Sequence, residues 1–225
     1  MLFQSIAYTT LPVSLERYGW PRLDGTGISE LFDKLVSRGW RLDTDCGRGV
    51  HPIRFKGIAL YYISAFVEDP PSLSAAGRAI DHTGVGEMRF HSPQIRDCAL
   101  LVALGKIALV WWAATGDDFH VTLSGLGSTP IRCSALPEGL SRILRSAAAK
   151  LQTAMAKNII YTKYAGKIMG NYDIKCVRHI LDETDVELLR AVDLEKYWED
   201  IELAYAHFMK ATGERPGTVR ENPFE

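Results

Sequence analysis

Residues 163–175 combine lysines, glycines and one asparagine in a pattern suited to contact with nucleic acid. Three lysines lie in this stretch: Lys163, Lys167 and Lys175. A flexible, glycine-rich backbone lets ammonium groups approach phosphates closely. Asn171 has the donor and acceptor pair that matches adenine in a major groove, and Tyr172 could stack on a base or bind a phosphate. The alternative interpretation of Asn171 is a turn residue that tolerates positive φ.

Charge is segregated along the chain although the net charge is only -1. Residues 137–180 contain eight basic and two acidic side chains, whereas residues 181–225 contain five basic and twelve acidic ones. Such an asymmetry indicates two surfaces with different partners. Charge alone fits equally well with two ordinary solvated helix faces.

Two short motifs have residue types found in methyl-transfer sites. Residues 43–49 (DTDCGRG) resemble the loop with which methyltransferases bind S-adenosylmethionine, but Pro52 follows where a helix should begin, so we expect a turn. Residues 69–72 (DPPS) resemble the (D/N/S)PP(Y/F/W) motif of amino-methyltransferases. Ser72 replaces the aromatic residue that stacks on a flipped base, so we expect no catalysis here.

A third candidate for chemistry is the run Asp117, Asp118 and His120. It could belong to a small enzyme if two carboxylates and an imidazole converged in a pocket. Neighbours in a strand point to opposite faces, so convergence is not automatic.

The four cysteines and six histidines show no zinc-ligand spacing. We therefore expect free thiols in a cytoplasmic protein, with no structural metal. No window has the roughly 18 apolar residues of a membrane span, and the N-terminus has no features of a secretory signal.

Periodicity predicts the elements that must position these residues. The predicted elements are a helix over 28–38, one or two strands in 54–67, a strand over 87–91, an apolar helix over 94–115 divided at Gly105, a strand over 119–123, a helix over 137–157, a strand over 159–161, and closing helices over 185–192 and 195–211. Residues 5–24 are interpreted as an extended segment.

The predicted fold is therefore α+β, with small antiparallel sheets, helices packed on one side and a helical C-terminal part. We divide the chain into an α+β region over 1–135, a mainly helical region over 136–212 that is continuous with it, and a loose tail over 213–225.

Three segments resemble, in the same order, the C-terminal half of class-γ N6-adenine DNA methyltransferases. Residues 98–122 (CALLVALGKIALVWWAATGDDFHVT) resemble the apolar "LLNSxLFYWYW" helix and "GDGFHLT" turn of that family, with Gly105-Lys106 in place of Asn-Ser. Residues 56–63 (KGIALYYI) resemble the preceding strand. Residues 163–174 resemble the "GNYDL" turn, and the family's "TDEID" helix is represented by residues 182–185 (DETD).

The resemblance implies a target-recognition part of an adenine methyltransferase, without the catalytic domain. Its partners would be double-stranded DNA and a separate catalytic chain that holds S-adenosylmethionine, as in a restriction-modification or phage-defence system. This chain would then need no cofactor and would not be an enzyme on its own. The implied DNA-binding residues are Lys56, Lys163, Lys167, Asn171, Tyr172, Lys175 and Arg178.

Two alternatives stay open from the sequence. The chain could be a protein-interaction module of such a system that does not bind DNA. It could also be a small enzyme with a site near Asp117, Asp118 and His120.

Overall fold

The computed structural model describes residues 12–18, 25–59, 62–117 and 119–212. The helices are α1 (Val13–Glu16), α2 (Gly25–Ser37), α3 (Pro93–Leu104), α4 (Lys106–Thr115), α5 (Leu123–Gly127), α6 (Glu138–Lys157), α7 (Ile174–Arg190) and α8 (Trp198–Thr212). The strands are β1 (Cys46–Lys56), β2 (Ala65–Phe66), β3 (Ser72–Leu73), β4 (Val85–Phe90), β5 (Ile159–Tyr164) and β6 (Lys167–Tyr172). Short 3-10 turns cover Leu42–Asp45, Cys133–Ala135 and Glu195–Tyr197.

The strands form two three-stranded antiparallel sheets, with the orders β2-β1-β4 and β3-β6-β5. The predicted α+β fold with small antiparallel sheets is therefore confirmed. The second sheet crosses the boundary that we placed at residue 135, because β3 comes from the first region and pairs with β6 in the second. Buried side chains of both regions also belong to one hydrophobic core.

The core is centred on α3 and α4, which are buried without interruption from Cys98 to Trp112. The helices are divided at Gly105, as predicted, and bend by 62° there. Trp111 and Trp112 are fully buried, and their indole N–H groups donate to the Ser128 hydroxyl at 2.9 Å and to the His120 carbonyl at 2.8 Å. In the described part of the chain, no single helix is long and apolar enough to span a membrane.

A buried polar network fills the break between α3 and α4. The fully buried Asp185 of α7 accepts a hydrogen bond of 2.6 Å from the backbone N–H of Lys106, at the start of α4. The Lys106 ammonium pairs with Asp182 at 3.0 Å and with Glu202 of α8. Arg178 donates to the Leu104 carbonyl at 3.1 Å, at the end of α3. Each broken helix end thus receives a partner from α7.

Burial raises the pKa of Asp185 to about 7. Hydrogen bonds from the backbone of Lys106 and the charge of Arg178 oppose that rise. The carboxyl group is held next to Gly105, where a side chain of any size would overlap its oxygens. Glycine is therefore required at the break for space, since its φ of -71° is ordinary.

Two predicted elements differ from the structure. Residues 119–123 do not form a strand: Asp117 closes a turn, a single bridge joins Ile58 to His120, and α5 begins at Leu123. The helix predicted to begin at residue 185 begins at Ile174, where Asp173 caps its first turn through the Lys175 N–H at 3.1 Å. The first half of α7 has several exposed polar residues, so its sequence does not show clear apolar periodicity.

The other predicted helices agree in type and place, with α6 matching its predicted range to within one residue. The strands predicted over 54–67 are only partly right, because β1 already begins at Cys46 and β2 covers Ala65–Phe66 alone. Of the segment interpreted as extended, residues 5–24, the structure describes only 12–18. This part contains the short helix α1 and is therefore not extended. The predicted loose tail, 213–225, lies outside the described residues.

We predict that Gly105→Ala destabilises the protein, because the added methyl group must displace the buried Asp185 carboxyl group. The expected loss is about 1–3 kcal/mol of unfolding free energy, measured by urea denaturation. The matched control is Gly139→Ala in the first turn of α6, where an added Cβ meets no atom within 4 Å. The control should be neutral or slightly stabilising. Equal effects of the two substitutions would contradict the packing account.

Candidate nucleic-acid interface

The hairpin of β5 and β6 carries two of the predicted DNA contacts on opposite faces. Its two-residue turn, Ala165-Gly166, has φ values of 48° and 76°, as a tight hairpin turn requires. Lys163 pairs with Ile168 across the two strands, and Lys167 pairs with Tyr164. Paired residues share a face of the hairpin and adjacent residues point to opposite faces, so the two lysines point to opposite faces. Both lysines are exposed. They can flank a ligand at the hairpin tip but do not share one flat surface.

Asn171 lies near the base of the hairpin and is held by two intramolecular hydrogen bonds. Its Oδ1 accepts from the Lys56 ammonium, and its Nδ2 donates to the Met169 carbonyl at 3.2 Å. Lys56 is half-buried, and burial lowers its pKa, with the charge of Asp69 opposing that effect. These two predicted DNA contacts are therefore partners of one another in this structure.

Tyr172 is buried, with a relative exposure of 8%. Its hydroxyl donates to the Glu68 carbonyl at 3.0 Å, and burial raises its pKa to about 12. The structure therefore does not present Tyr172 on the surface, where it could stack on a base or bind a phosphate. Its ring packs inside the protein because the residue lies on the core-facing side of β6.

The remaining predicted contacts, Lys175 and Arg178, lie on α7 but differ in accessibility. Lys175 is exposed in the first turn of the helix. Arg178 is half-buried, caps α3 through Leu104 and lies over the Tyr205 ring at 5.3 Å. The structure thus gives Arg178 a structural partner and leaves Lys175 available to a ligand.

The DPPS segment joins the two sheets and has structural partners. Asp69 pairs with Arg54 of β1. The His82 ring donates from Nε2 to the Pro70 carbonyl at 3.0 Å, since a carbonyl can only accept. Ser72 Oγ accepts from the Gly170 N–H and lies 3.0 Å from the same ring nitrogen. That nitrogen carries a proton, so it cannot act as the base that would activate Ser72.

The segment that resembles a cofactor loop is a turn followed directly by a strand. Asp43 pairs with Arg41 at 2.5 Å, and the buried Asp45 accepts from the backbone and hydroxyl of Ser134 at 3.0 and 2.5 Å. The 3-10 turn ends at Asp45, and β1 begins at Cys46. A helix that could direct its N-terminus at a cofactor does not follow, which agrees with the expected turn.

Asp117 and His120 lie together in an exposed turn. The Asp117 carboxylate accepts from the backbone N–H groups of Phe119 and His120 at 3.0 and 2.6 Å, and from the His120 ring at 2.6 Å. These hydrogen bonds, that of the His120 ring first, lower the pKa of Asp117 to about 2. Asp118 lies outside the described residues. The turn itself explains the arrangement of Asp117 and His120.

Cys46, Cys98, Cys133 and Cys176 are not joined by disulfide bonds, as predicted. The fold brings two of them together: burial and a hydrogen bond with Cys98 raise the pKa of Cys133. Burial likewise raises the pKa of Cys46 to about 11. Among the described residues, no group of three potential ligands is placed to hold a metal ion.

The outward face of α6 is basic and was not among the predicted contacts. Its buried side consists of Leu140, Leu144, Ala148, Leu151 and Met155. The opposite side carries four exposed basic residues: Arg142, Arg145, Lys150 and Lys157. A shallow open depression lies on this side, lined by Ala149, Lys150, Thr153, Ala154, Lys157 and Asn158. A helical projection of the sequence carries this signal, but it cannot tell a solvated face from a binding face.

We use the term basic face for the four basic residues of α6 together with Lys175 and the two hairpin lysines, Lys163 and Lys167, which point to opposite sides of the hairpin. Within the described ranges, none of these seven side chains forms an ion pair. Eight other basic residues do: Lys34, Arg41, Arg54, Arg89, Arg96, Lys106, Arg132 and Arg190. The basic face therefore has positive charge that the described part of the protein does not neutralise.

No protein-family model, no curated protein and no solved structure matches this chain. The resemblance to adenine methyltransferases thus stays a prediction from sequence motifs.

We predict that the bond between Lys56 and Asn171 stabilises the fold. In a double-mutant cycle of Lys56→Met and Asn171→Ala, urea denaturation should give a coupling energy of about 1–2 kcal/mol. Each single variant leaves a half-buried polar group without its partner, so the double variant should lose less than the sum. Additive effects within about 0.5 kcal/mol would contradict the pairing and leave both groups available to a ligand.

Proposed function

We propose that the protein binds double-stranded DNA through the basic face. The supporting observation is the seven exposed basic side chains that share neighbouring elements and have no acidic partner in the described part of the chain. The two acidic residues of the same region do not neutralise them. Glu138 lies at the N-terminus of α6, and Asp173 caps α7.

The energetic basis of this binding is release of counterions from the phosphate backbone. Each phosphate neutralised by a lysine or arginine releases condensed cations, so affinity falls steeply with salt. A surface with limited charge gives weak, salt-sensitive binding on its own. This property suits a subunit that supplies position on the duplex while a partner supplies chemistry.

The partner we propose is a catalytic N6-adenine methyltransferase chain, in a restriction-modification or phage-defence system. That chain would hold S-adenosylmethionine and flip the base, and the present chain would supply sequence choice. The sequence resemblance supports this part of the proposal. The charge distribution is consistent with separate surfaces for DNA and for the partner chain. The end of α7 and the helix α8 are rich in acidic residues, unlike the basic face.

The set of DNA contacts changes accordingly. Lys163, Lys167 and Lys175 stay in it, and the four basic residues of α6 join it. Lys56 and Asn171 would have to release one another before either could contact DNA.

One observation favours the protein-interaction alternative as a second candidate. Ile58, Phe119 and Leu123 are each about half exposed and lie near the bridge that joins residues 58 and 120. Exposed apolar side chains that lie together are typical of contact with another protein. This surface is separate from the basic face in sequence, so the two roles can be tested independently.

We predict that Lys150→Ala/Lys157→Ala weakens binding to a duplex oligonucleotide on the order of tenfold at low salt, and lowers the slope of log affinity against log salt by about two. Fluorescence anisotropy at several salt concentrations measures both quantities.

The matched control is Lys34→Ala/Arg89→Ala, which removes the same charge from exposed residues that have acidic partners. It should bind like the unmodified protein. Equal weakening by both double variants would mean that binding depends only on net charge and would contradict a specific role of the basic face. Unchanged binding by both would contradict DNA binding by the basic face.

A further inference from the structure

The basic residues of α6 are arranged on two flanks of its outward side. With 3.6 residues per turn, the eight outward positions of α6 fall within about 140° of its circumference. Arg145 lies at one edge of this arc, and Lys150 and Lys157 lie at the other. Arg142 lies between them near the N-terminal end. Along the axis, the four residues span about 22 Å.

Apart from Arg142 near its N-terminal end, the strip between these flanks has short side chains. The exposed residues in it are Ser146, Ala149, Thr153 and Ala156. The open depression described above runs along the flank of Lys150 and Lys157, and it meets this strip at Ala149 and Thr153. A ligand between the flanks can therefore approach the helix backbone closely while basic groups reach past it on both sides.

The opposite side of α6 anchors the helix to the core. Leu144, Ala148, Leu151 and Met155 are at most 2% exposed, and the helix packs there against α3 and α7. The outward half of α6 is consequently free over its whole length in the described structure. A helix anchored in this way is rigid enough to be inserted into a groove.

We infer that α6 enters the major groove of B-form DNA, with Arg145 contacting one strand and Lys150 and Lys157 the other. This inference rests on the proposed function and names the element that carries it. The major groove is about 12 Å wide and admits an α-helix, whose diameter with side chains is about 10–12 Å. Charge complementarity selects the occupant, since positive groups on both flanks face a groove bordered by phosphates on both strands.

Insertion of a helix into the major groove also predicts a preference for duplex DNA over duplex RNA. The major groove of A-form RNA is deep and narrow and does not admit a helix. Backbone attraction without insertion would treat the two duplexes alike. Selectivity for the B-form duplex is therefore a property of insertion.

The test compares Ala149→Leu with the unmodified protein on DNA and RNA duplexes of one sequence. Leucine adds a larger side chain to the strip between the flanks and keeps the DNA farther from the helix. DNA affinity should therefore fall about tenfold or more, with an unchanged melting temperature. The control Ser37→Leu places the same side chain at an exposed residue of α2 and should bind normally.

The unmodified protein should prefer DNA over RNA, and a DNA duplex with glucosylated 5-hydroxymethylcytosine, which fills the major groove, should bind weakly.

Normal binding by Ala149→Leu, equal affinity for RNA, or normal binding to the glucosylated duplex would each overturn insertion of α6. If Lys150→Ala/Lys157→Ala still weakens binding in that case, DNA binding by the basic face survives and only the groove assignment fails. If that variant also binds normally, the proposed function fails together with the inference.

Discussion

The buried network at the break between α3 and α4 is the constraint on which the rest of the structure depends. Two broken helix ends inside a core leave backbone groups that water cannot reach. Asp185 satisfies the start of α4, and Arg178 satisfies the end of α3. Both residues belong to α7, so the break determines where that helix must lie. Lys106 extends the network to α8 through Glu202.

The position of α7 in turn places the basic face. Asp173 caps α7 directly after β6, and its backbone N–H donates to the Asn158 carbonyl at 2.8 Å, where α6 passes into β5. The end of α6, the base of the hairpin and the start of α7 therefore meet at one point. The three elements that carry the unpaired basic residues are held together by this junction. Charge that is distributed over residues 142–175 in the sequence becomes one set of neighbouring surfaces.

Local pattern predicted the longer helices α2, α3, α4, α6 and α8 and the strands β4 and β5, because apolar periodicity and a glycine between two apolar runs are properties of short segments. It also located the division at Gly105, although the reason for glycine there is a carboxyl group 80 residues away in the sequence. It missed α1, α5, β3, β6 and the first part of α7. The roles of Asn171 and Tyr172 could not be predicted in this way. Their partners are Lys56 and Glu68, which are 115 and 104 residues distant, and only the fold brings them into contact.

The same limit applies to the candidate interface. The sequence shows that α6 is amphipathic and basic, but the absence of ion pairs on its outward face can be seen only in the described three-dimensional structure. Glycine and asparagine in the hairpin segment favoured the prediction of a DNA-binding loop. In the fold, Gly170 instead allows close approach of the Pro71 carbonyl, which a side chain at that position would overlap.

The most direct test of the central claim is a lysine-reactivity footprint of the protein with and without duplex DNA. Acylation by an amine-reactive ester, followed by peptide mass spectrometry, reports the accessibility of each ammonium group. Binding by the basic face predicts protection of Lys150, Lys157, Lys163, Lys167 and Lys175 on addition of DNA, with unchanged reactivity at Lys34 and Lys196. Uniform protection of all lysines, or protection of Lys34 and Lys196 alone, would contradict the account.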